Sequence, residues 1–435
     1  MKNILKLLLF AVLCWSCKNR SVPVIDESEI LHRNEDQLTK LIIYDVFNPP
    51  VASRIYAYTS LASYEVIRFK DPQKYPSIIN RLKGFTSITA PDKNKKYDFT
   101  LAATQAFFTV ARKVVFSVDS FVVYENTIYN QFKNSLDDST YARSVAFGNE
   151  VGKVILQRAV MDNYPQSRGK PRFIGSTNAG KWRPTAPDYL DGVEYCWGTM
   201  KPFVLDSSSQ FVPPRPISYS EEPTSDFYKE NIDVYKAGKN LTVQQQEIAK
   251  YWDDNPFVLE HSGHMTFANK KITPGGHWIG ITNIACKKTK ADPVKTAQAY
   301  TLTSIAMFDA FICCWEEKYR SSVIRPVTVI NEQIDPNWSP YLQTPPFPEY
   351  PSGHSTITRA AATILTRLFG DNFAFLDTSD LEYIGMQRNF TSFIAAANEA
   401  SISRFYGGIH YMNSVNAGAD QGKKVADFII EKLDL

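Results

Sequence analysis

Three short motifs stand in order in the second half of this chain, and whatever it folds into has to gather them. They are Lys318-(six residues)-Arg325-Pro326, then Pro351-Ser352-Gly353-His354, then Ser403-Arg404-(five residues)-His410. Together they supply three cations, two histidines and a glycine-flanked helix start. That set can hold a tetrahedral oxyanion and do chemistry on it. One such motif arises easily by chance; three in order is a far more specific signal.

Each residue also has a plainer reading. Pro351 and Ser352 are ordinary at a helix start, where Ser caps and Pro is tolerated. The unpaired N–H groups there also favour an anion, and Gly353 lets an oxyanion approach the backbone. Ordinary capping explains Pro351 and Ser352 but not Gly353 followed by His354. A lone histidine is more often structural; beside an anion-binding turn, His354 suits general acid–base work. Lys318, Arg325 and Arg404, taken singly, read as solvated cations. Taken together they form a clamp, the guanidinium groups binding through paired N–H donors and Lys318 acting as a point charge. His410 follows Gly407-Gly408, and its nitrogen suits either attack on phosphorus or coordination of a metal oxyanion.

The chain has 435 residues, 44% of them hydrophobic, enough for a large core in one domain or two. The net charge of +3 implies no general attraction to nucleic acid or anionic membrane, so an anion site must be local. Beyond the N-terminus no stretch is expected to span a bilayer. Residues 1–17 read as an export signal: Lys2 and Lys6, an apolar run from Leu7 to Trp15, then Ser16-Cys17. A small residue before Cys resembles a lipoprotein signal, with Cys17 as the lipidated first residue and Cys14 as a rival. The expected location is periplasmic or outer-membrane lipoprotein, or secreted without lipid. Cys196, Cys286, Cys313 and Cys314 remain; none has zinc spacing, and all four default to core thiols.

Apolar positions recur at three- and four-residue spacing over residues 26–70, 98–136 and 139–163, with a break at Asn48-Pro49-Pro50. Residues 164–225, rich in Pro, Gly, Ser and aromatics, read as a long ordered loop that carries function or shapes a pocket rim. Helical pattern resumes at 242–254 and 293–318, after His354, and at 379–404 and 415–433. No alternating strand-like series of useful length is present. The implied organisation is an N-terminal helical half, residues 22–210, and a C-terminal domain, residues 211–435, carrying the motifs.

The motifs resemble those of the superfamily joining type 2 phosphatidic acid phosphatases and vanadium-dependent haloperoxidases, across residues 318–410. Trp315 and Phe347, in Pro345-Pro346-Phe347-Pro348-Glu349-Tyr350, resemble the halide-side residues of the chloroperoxidase branch. Tyr251-Trp252-Asp253-Asp254 resembles a stretch of that branch whose acid pairs with the second arginine, which makes Asp254 the partner of Arg404. The resemblance implies an all-α fold of two helical bundles with the cofactor in the C-terminal one. One departure stands out: the pattern has an Asp four residues after the second histidine, and here that place is Ser414.

Three functions follow. The first is a vanadate-dependent haloperoxidase. His410 would coordinate vanadium, while Lys318, Arg325, Arg404, Ser352 and the Gly353 N–H would hold the oxygens. His354 would move protons, Lys318 would polarise the activated oxygen, and hydrogen peroxide would oxidise a halide to a hypohalous acid equivalent. Iodide or bromide is favoured; the organic acceptor is not readable. The second is an acid phosphatase working through a phosphohistidine at His410, against which Trp315, Phe347 and Ser414 lean. The third is an exported oxyanion-binding lipoprotein, for which two histidines and Lys318 are more than binding needs.

Overall fold

A computed structural model of the protein describes residues 26–435 apart from 257, 263 and 269. The expected signal and Cys17 therefore lie outside the described residues. The expected all-α class is observed: fifteen α-helices and two two-stranded hairpins are present among the described residues.

The Asn48-Pro49-Pro50 break is a helix restart. α1 (Glu27–Tyr44) ends before it, and α2 (Pro49–Ile67) begins with the Asn48 side chain accepting from Val51 N–H and two prolines in its first turn. All of α2 is buried. It lies among α3 (Phe99–Val114), α5 (Asp138–Ala159) and the long α10 (Pro293–Ser321), with α4 (Val122–Ser135) on the outside. By length and composition α10 is apolar enough to cross a membrane, contrary to the expectation above. It is the central core helix of the fold, 94% buried over its apolar window.

α10 also packs against α12 (Gly353–Phe369), which in turn contacts α14 (Phe393–Tyr406) and α15 (Met412–Leu433). One apolar core runs from Leu31 to Leu433, so the two expected helical halves share it. The closest crossing is α12 on α15. A Cβ at Gly422 would stand 2.0 Å from the Thr356 carbonyl oxygen, and one at Gly418 2.5 Å from that of Ser352.

The long loop before residue 225 contains only the short α6 (Tyr164–Arg168) and a 3-10 turn. It is anchored by the buried Trp182 and Trp197. Its backbone straps the segment between Lys318 and Arg325: Trp182 N–H donates to Ser322 O, and Ile324 N–H to Gly180 O. The Val193 carbonyl accepts from the Trp315 indole at 3.1 Å and the Tyr319 hydroxyl at 2.5 Å.

Four helices escaped the sequence reading, the short α6, α7 (Asp226–Lys239), α9 (Pro274–Thr289) and the eight-residue α11 (Pro326–Gln333), while α8 (Val243–Tyr251) stands between α7 and α9 as expected. α9 opens on Pro274-Gly275-Gly276, which reads as a turn, and its first turns are buried on every side, which erases the amphipathic stripe. The expected helix over 379–404 is only its second half. The first half is a hairpin, β3 (Phe375–Asp377) with β4 (Arg388–Phe390), around the one-turn α13 (Leu381–Ile384), which stops at Gly385 with φ +71°. A second hairpin, β1 (Leu259–Ser262) with β2 (Met265–Ala268), precedes α9, and α11 (Pro326–Gln333) follows Arg325 directly.

Candidate active site

The three motifs converge. Lys318 ends α10, Arg325 caps α11, Ser352 caps α12, Arg404 ends α14, and His410 stands in the turn before α15. Gly353, His354, Arg404 and His410 line one cleft with Trp315 and Phe347, as the sequence suggested. Asp253, Asp254, Phe311, Ile409 and several prolines complete its wall, around about 480 Å³ of space that opens to solvent.

The cations are buried and their donors are engaged. Lys318 Nζ donates to the carbonyls of Pro348 (2.9 Å), Glu349 (3.0 Å) and Pro351 (2.5 Å). Burial pushes its ammonium down to about 7, with the Arg325 charge adding to the fall. Arg325 donates to the carbonyls of Phe347 (2.9 Å) and Ile409 (2.7 Å), and its NH1 lies 3.3 Å from His410 Nε2. Burial lowers it to about 10, so it keeps its charge at neutral pH. These two cations thus tie down the loop 345–351 that leads into α12.

Arg404 donates to the carbonyls of Trp252 (2.6 Å) and Asp253 (3.4 Å). The expected Arg404–Asp254 pair takes a different form. Asp254 lies close enough for its charge to be felt at Arg404, but its carboxylate is engaged by His277, at 3.1 and 3.2 Å from Nδ1. His277 Nε2 faces Asp377 at 3.0 Å, and Asp380 stands 3.6 Å from Nδ1. Trp252 stacks on the imidazole at 4.4 Å. Burial alone would lower this histidine, yet Asp254, Asp377 and Asp380 hold it well above its ordinary value, as an imidazolium. Asp254, His277 and Asp380 present donor atoms within 4.8 Å of one another. His277 is itself the cation among these carboxylates, which outnumber it.

Both site histidines are neutral. Burial and then the Arg404 charge hold His354 well below its ordinary value; burial and then Arg325 do the same to His410. His354 Nε2 is buried with no hydrogen-bond partner, 3.8 Å from Asp254 Oδ2. An orphaned buried ring nitrogen on the cleft wall marks a place where a further polar group belongs. His410 Nδ1 lies 2.7 Å from Glu349 Oε1, which leaves Nε2 as the atom beside the Arg325 guanidinium. Ser352 accepts from Ser355 N–H at 3.3 Å, so its hydroxyl proton is free to turn outward. These features fit a bound tetrahedral oxyanion: two guanidinium charges, an acceptor nitrogen, an orphaned imidazole and a helix N-terminus.

Trp315 and Phe347 pack at 5.0 Å between centroids, forming an apolar wall beside the charges. The sequence reading missed His277, Asp377, Asp380 and Glu349 as partners. Glu349 lay within the quoted Pro345–Tyr350 segment but nothing local marked it; His277 sat in an unpredicted helix. Ser414 stands beside Glu349, its hydroxyl 3.4 Å from the Glu349 carbonyl oxygen. Cys196, Cys286, Cys313 and Cys314 are all free thiols; the last three are buried as the default reading had them, whereas Cys196 is only half-buried.

The family model described as the VCPO second helical-bundle domain matches residues 298–434, the region holding all three motifs. No curated protein matches the sequence. Among solved structures, a bacterial vanadium-dependent iodoperoxidase is similar at 43% identity and a TM-score of 0.88, over 93% of this chain and 96% of that one. A holo-type bacterial vanadium-dependent chloroperoxidase shares the fold at 18% identity and TM-score 0.68, covering 91% of this chain and 94% of that one. Its apo-type counterpart does so at 16% and 0.68, covering 89% and 94%. An identity of 43% sustained over nearly the whole of both chains is more than a shared fold, and it places this chain in the vanadium-dependent haloperoxidase family.

Proposed function

We propose that this haloperoxidase uses vanadate and hydrogen peroxide to oxidise iodide, with bromide as the next candidate. The observation that carries the proposal is the cleft's mixed lining. Arg404, His354 and His410 supply charged and polar groups to it, and Trp315, Phe347, Phe311 and Ile409 supply apolar surface. Iodide is the least strongly hydrated and most easily oxidised of the three common halides. An apolar wall that offers no hydrogen bonds from the Trp315 indole, whose N–H is turned to Val193, suits it. The similar bacterial iodoperoxidase supports the same choice.

His410 Nε2 would ligate the vanadium, and Arg325, Arg404, Ser352 and the Gly353 N–H would hold the oxygens. Bound vanadate supplies a Lewis-acid centre that activates hydrogen peroxide for transfer of oxygen to halide. Neutral His354 accepts a proton at Nε2 from the incoming peroxide and returns it to the departing oxygen. Asp254, 3.8 Å away, stabilises the imidazolium formed in between. Lys318 acts through its charge, and direct donation to an oxygen requires it to exchange one of its carbonyl bonds. Arg325 and Arg404 hold fixed charge in a dry site, where preorganisation contributes most.

The phosphatase reading keeps one supporting observation. A carboxylate does face His410, from Glu349, so the absence of Asp at 414 no longer argues against a histidine nucleophile. Export and a lipid on Cys17 complete the proposal; labelling with a radioactive fatty acid, lost in Cys17→Ser, would test the anchor. The deciding assay uses protein stripped of oxyanion. One arm adds vanadate and peroxide and follows iodide, bromide and chloride oxidation; the other omits vanadate and follows aryl phosphate hydrolysis. Iodide oxidation that requires vanadate and vanishes in His410→Ala supports the proposal. Phosphate release inhibited by vanadate, without halide oxidation, overturns it.

A further inference from the structure

The related pattern places an aspartate four residues after the second histidine, and this chain has Ser414 there. The carboxylate has nonetheless not been lost from the site. Glu349 lies 61 residues earlier in sequence than His410, in the loop before α12. Its Oε1 lies 2.7 Å from His410 Nδ1 and accepts from the Tyr411 N–H at 3.1 Å. It is fully buried, and its other oxygen has no hydrogen-bond partner. The loop carrying it is fixed on both sides. Glu349 N–H donates to Val323 O, its carbonyl accepts from Lys318 Nζ, and Ser352 N–H donates to Ser414 O.

We infer that Glu349 is the positioning residue of His410, standing in for the aspartate that Ser414 replaces. The chemistry needs a carboxylate at Nδ1 for one reason. A ligand or nucleophile at Nε2 must present a lone pair there, so the single proton of the neutral ring has to be kept on Nδ1. A carboxylate acceptor at 2.7 Å imposes that tautomer and raises the basicity of Nε2. Position 414 is then constrained in the opposite sense. Ser414 is buried against the Glu349 backbone, so an aspartate there would set a second carboxylate in the same dry space. A small hydroxyl fits where two charges would repel, and the two positions are alternatives.

This inference rests on the reading of His410 as the oxyanion's ligand, and the test separates the two. Four variants are compared with the wild type: His410→Ala, Glu349→Gln, Glu349→Ala and the double variant Glu349→Ala with Ser414→Asp. Binding of orthovanadate is followed by calorimetry. In the vanadate-free protein, long-range proton–nitrogen NMR reads the His410 tautomer, and thermal melts check folding. Wild type should show the proton on Nδ1. Glu349→Ala should lose that tautomer and about 10- to 100-fold in vanadate affinity. Glu349→Gln should keep the tautomer, since its amide oxygen still accepts, but lose part of the affinity. The double variant should recover both readouts, which a merely structural Glu349 would not allow. If His410→Ala leaves affinity unchanged, the ligand reading fails. If His410→Ala abolishes binding while a folded Glu349→Ala keeps tautomer and affinity, the Glu349 inference fails alone.

Discussion

Asp254 Oδ1 lies 3.1 Å from His277 Nδ1, which sets a buried imidazolium directly behind the carboxylate that faces His354. Asp254 adopts a left-handed backbone, φ +39°, uncommon for a residue other than glycine. Asp377 holds the far nitrogen of the same ring. His277 is thus the cation that allows carboxylates to sit in a dry interior beside the reactive cleft.

Replacing His277 by Gln should therefore be costly. It removes the positive charge, leaving Asp377 buried without its cationic partner and Asp254 with only the Arg404 charge nearby, a loss of about 3–5 kcal/mol by comparison with other broken buried pairs. Urea denaturation at neutral pH measures it. Asp380→Asn should cost much less, because burial already pushes Asp380 up to about 7 and its proton is partly present. A His277→Gln protein as stable as the wild type would show that the cluster tolerates its charges without this ring.

His354 should separate binding from turnover. Its Nε2 has no partner and its imidazole is neutral, so it is available to take a proton rather than to anchor an anion. His354→Ala should lower kcat for iodide oxidation by about 10²- to 10⁴-fold. Vanadate affinity should change far less, because the fixed positive charge of Arg325 and Arg404 remains. Steady-state kinetics and calorimetry on one preparation check both halves, and an equal loss in each would make His354 a ligand-holding residue instead.

Away from the cleft, Glu35 gives the fold a pH dependence. It is fully buried, accepts one hydrogen bond from Ser60 at 2.7 Å, and its second oxygen has no partner. Burial pushes its carboxyl from 4.5 up to about 8. The folded state then binds the proton more tightly than the unfolded chain. Its contribution is fully present below about 4.5 and is lost as pH rises towards about 8. At about 1.4 kcal/mol per pH unit this amounts to something on the order of 5 kcal/mol across the window. Glu35→Gln should flatten the slope and gain stability at about pH 8, read from urea midpoints at several pH values. An unchanged slope would mean that Glu35 is solvated or paired in solution.

What the sequence made legible follows the locality of each signal. Lys318, Arg325, Ser352, Gly353, His354, Arg404 and His410 were readable because each sits in a short motif at a helix end, where the spacing alone aims it. Trp315 is readable for the same reason, three residues before Lys318 on the same helix. Their partners were not. Glu349 reaches His410 across 61 positions, and His277 reaches Asp377 across 100, distances over which periodicity carries no information. α9 was missed because its first turns, buried on all sides, show no stripe, and the 375–390 hairpin because its strands are only three residues long. Asp254 was placed in the correct neighbourhood and its charge is felt at Arg404, but its hydrogen bonds go to His277, since sequence shows which residues are charged and not which groups meet.

The last prediction joins fold to site. Gly418 and Gly422 let α15 approach the first turns of α12, the turns that present Ser352, Gly353 and His354. A Cβ at Gly422 would stand 2.0 Å from the Thr356 carbonyl oxygen, which is helix backbone and cannot rotate aside. Gly422→Ala should push the two helices apart, costing about 1–3 kcal/mol as overpacked cores do. The displacement falls one turn from the oxyanion cradle, so vanadate affinity should fall with stability. Gly169→Ala is the matched control: its φ is −85° and a Cβ there meets nothing within 4 Å. It should leave both unchanged. Thermal melts and vanadate calorimetry on the pair decide it: if Gly422→Ala loses stability but binds vanadate as wild type does, the crossing supports the core without setting the site.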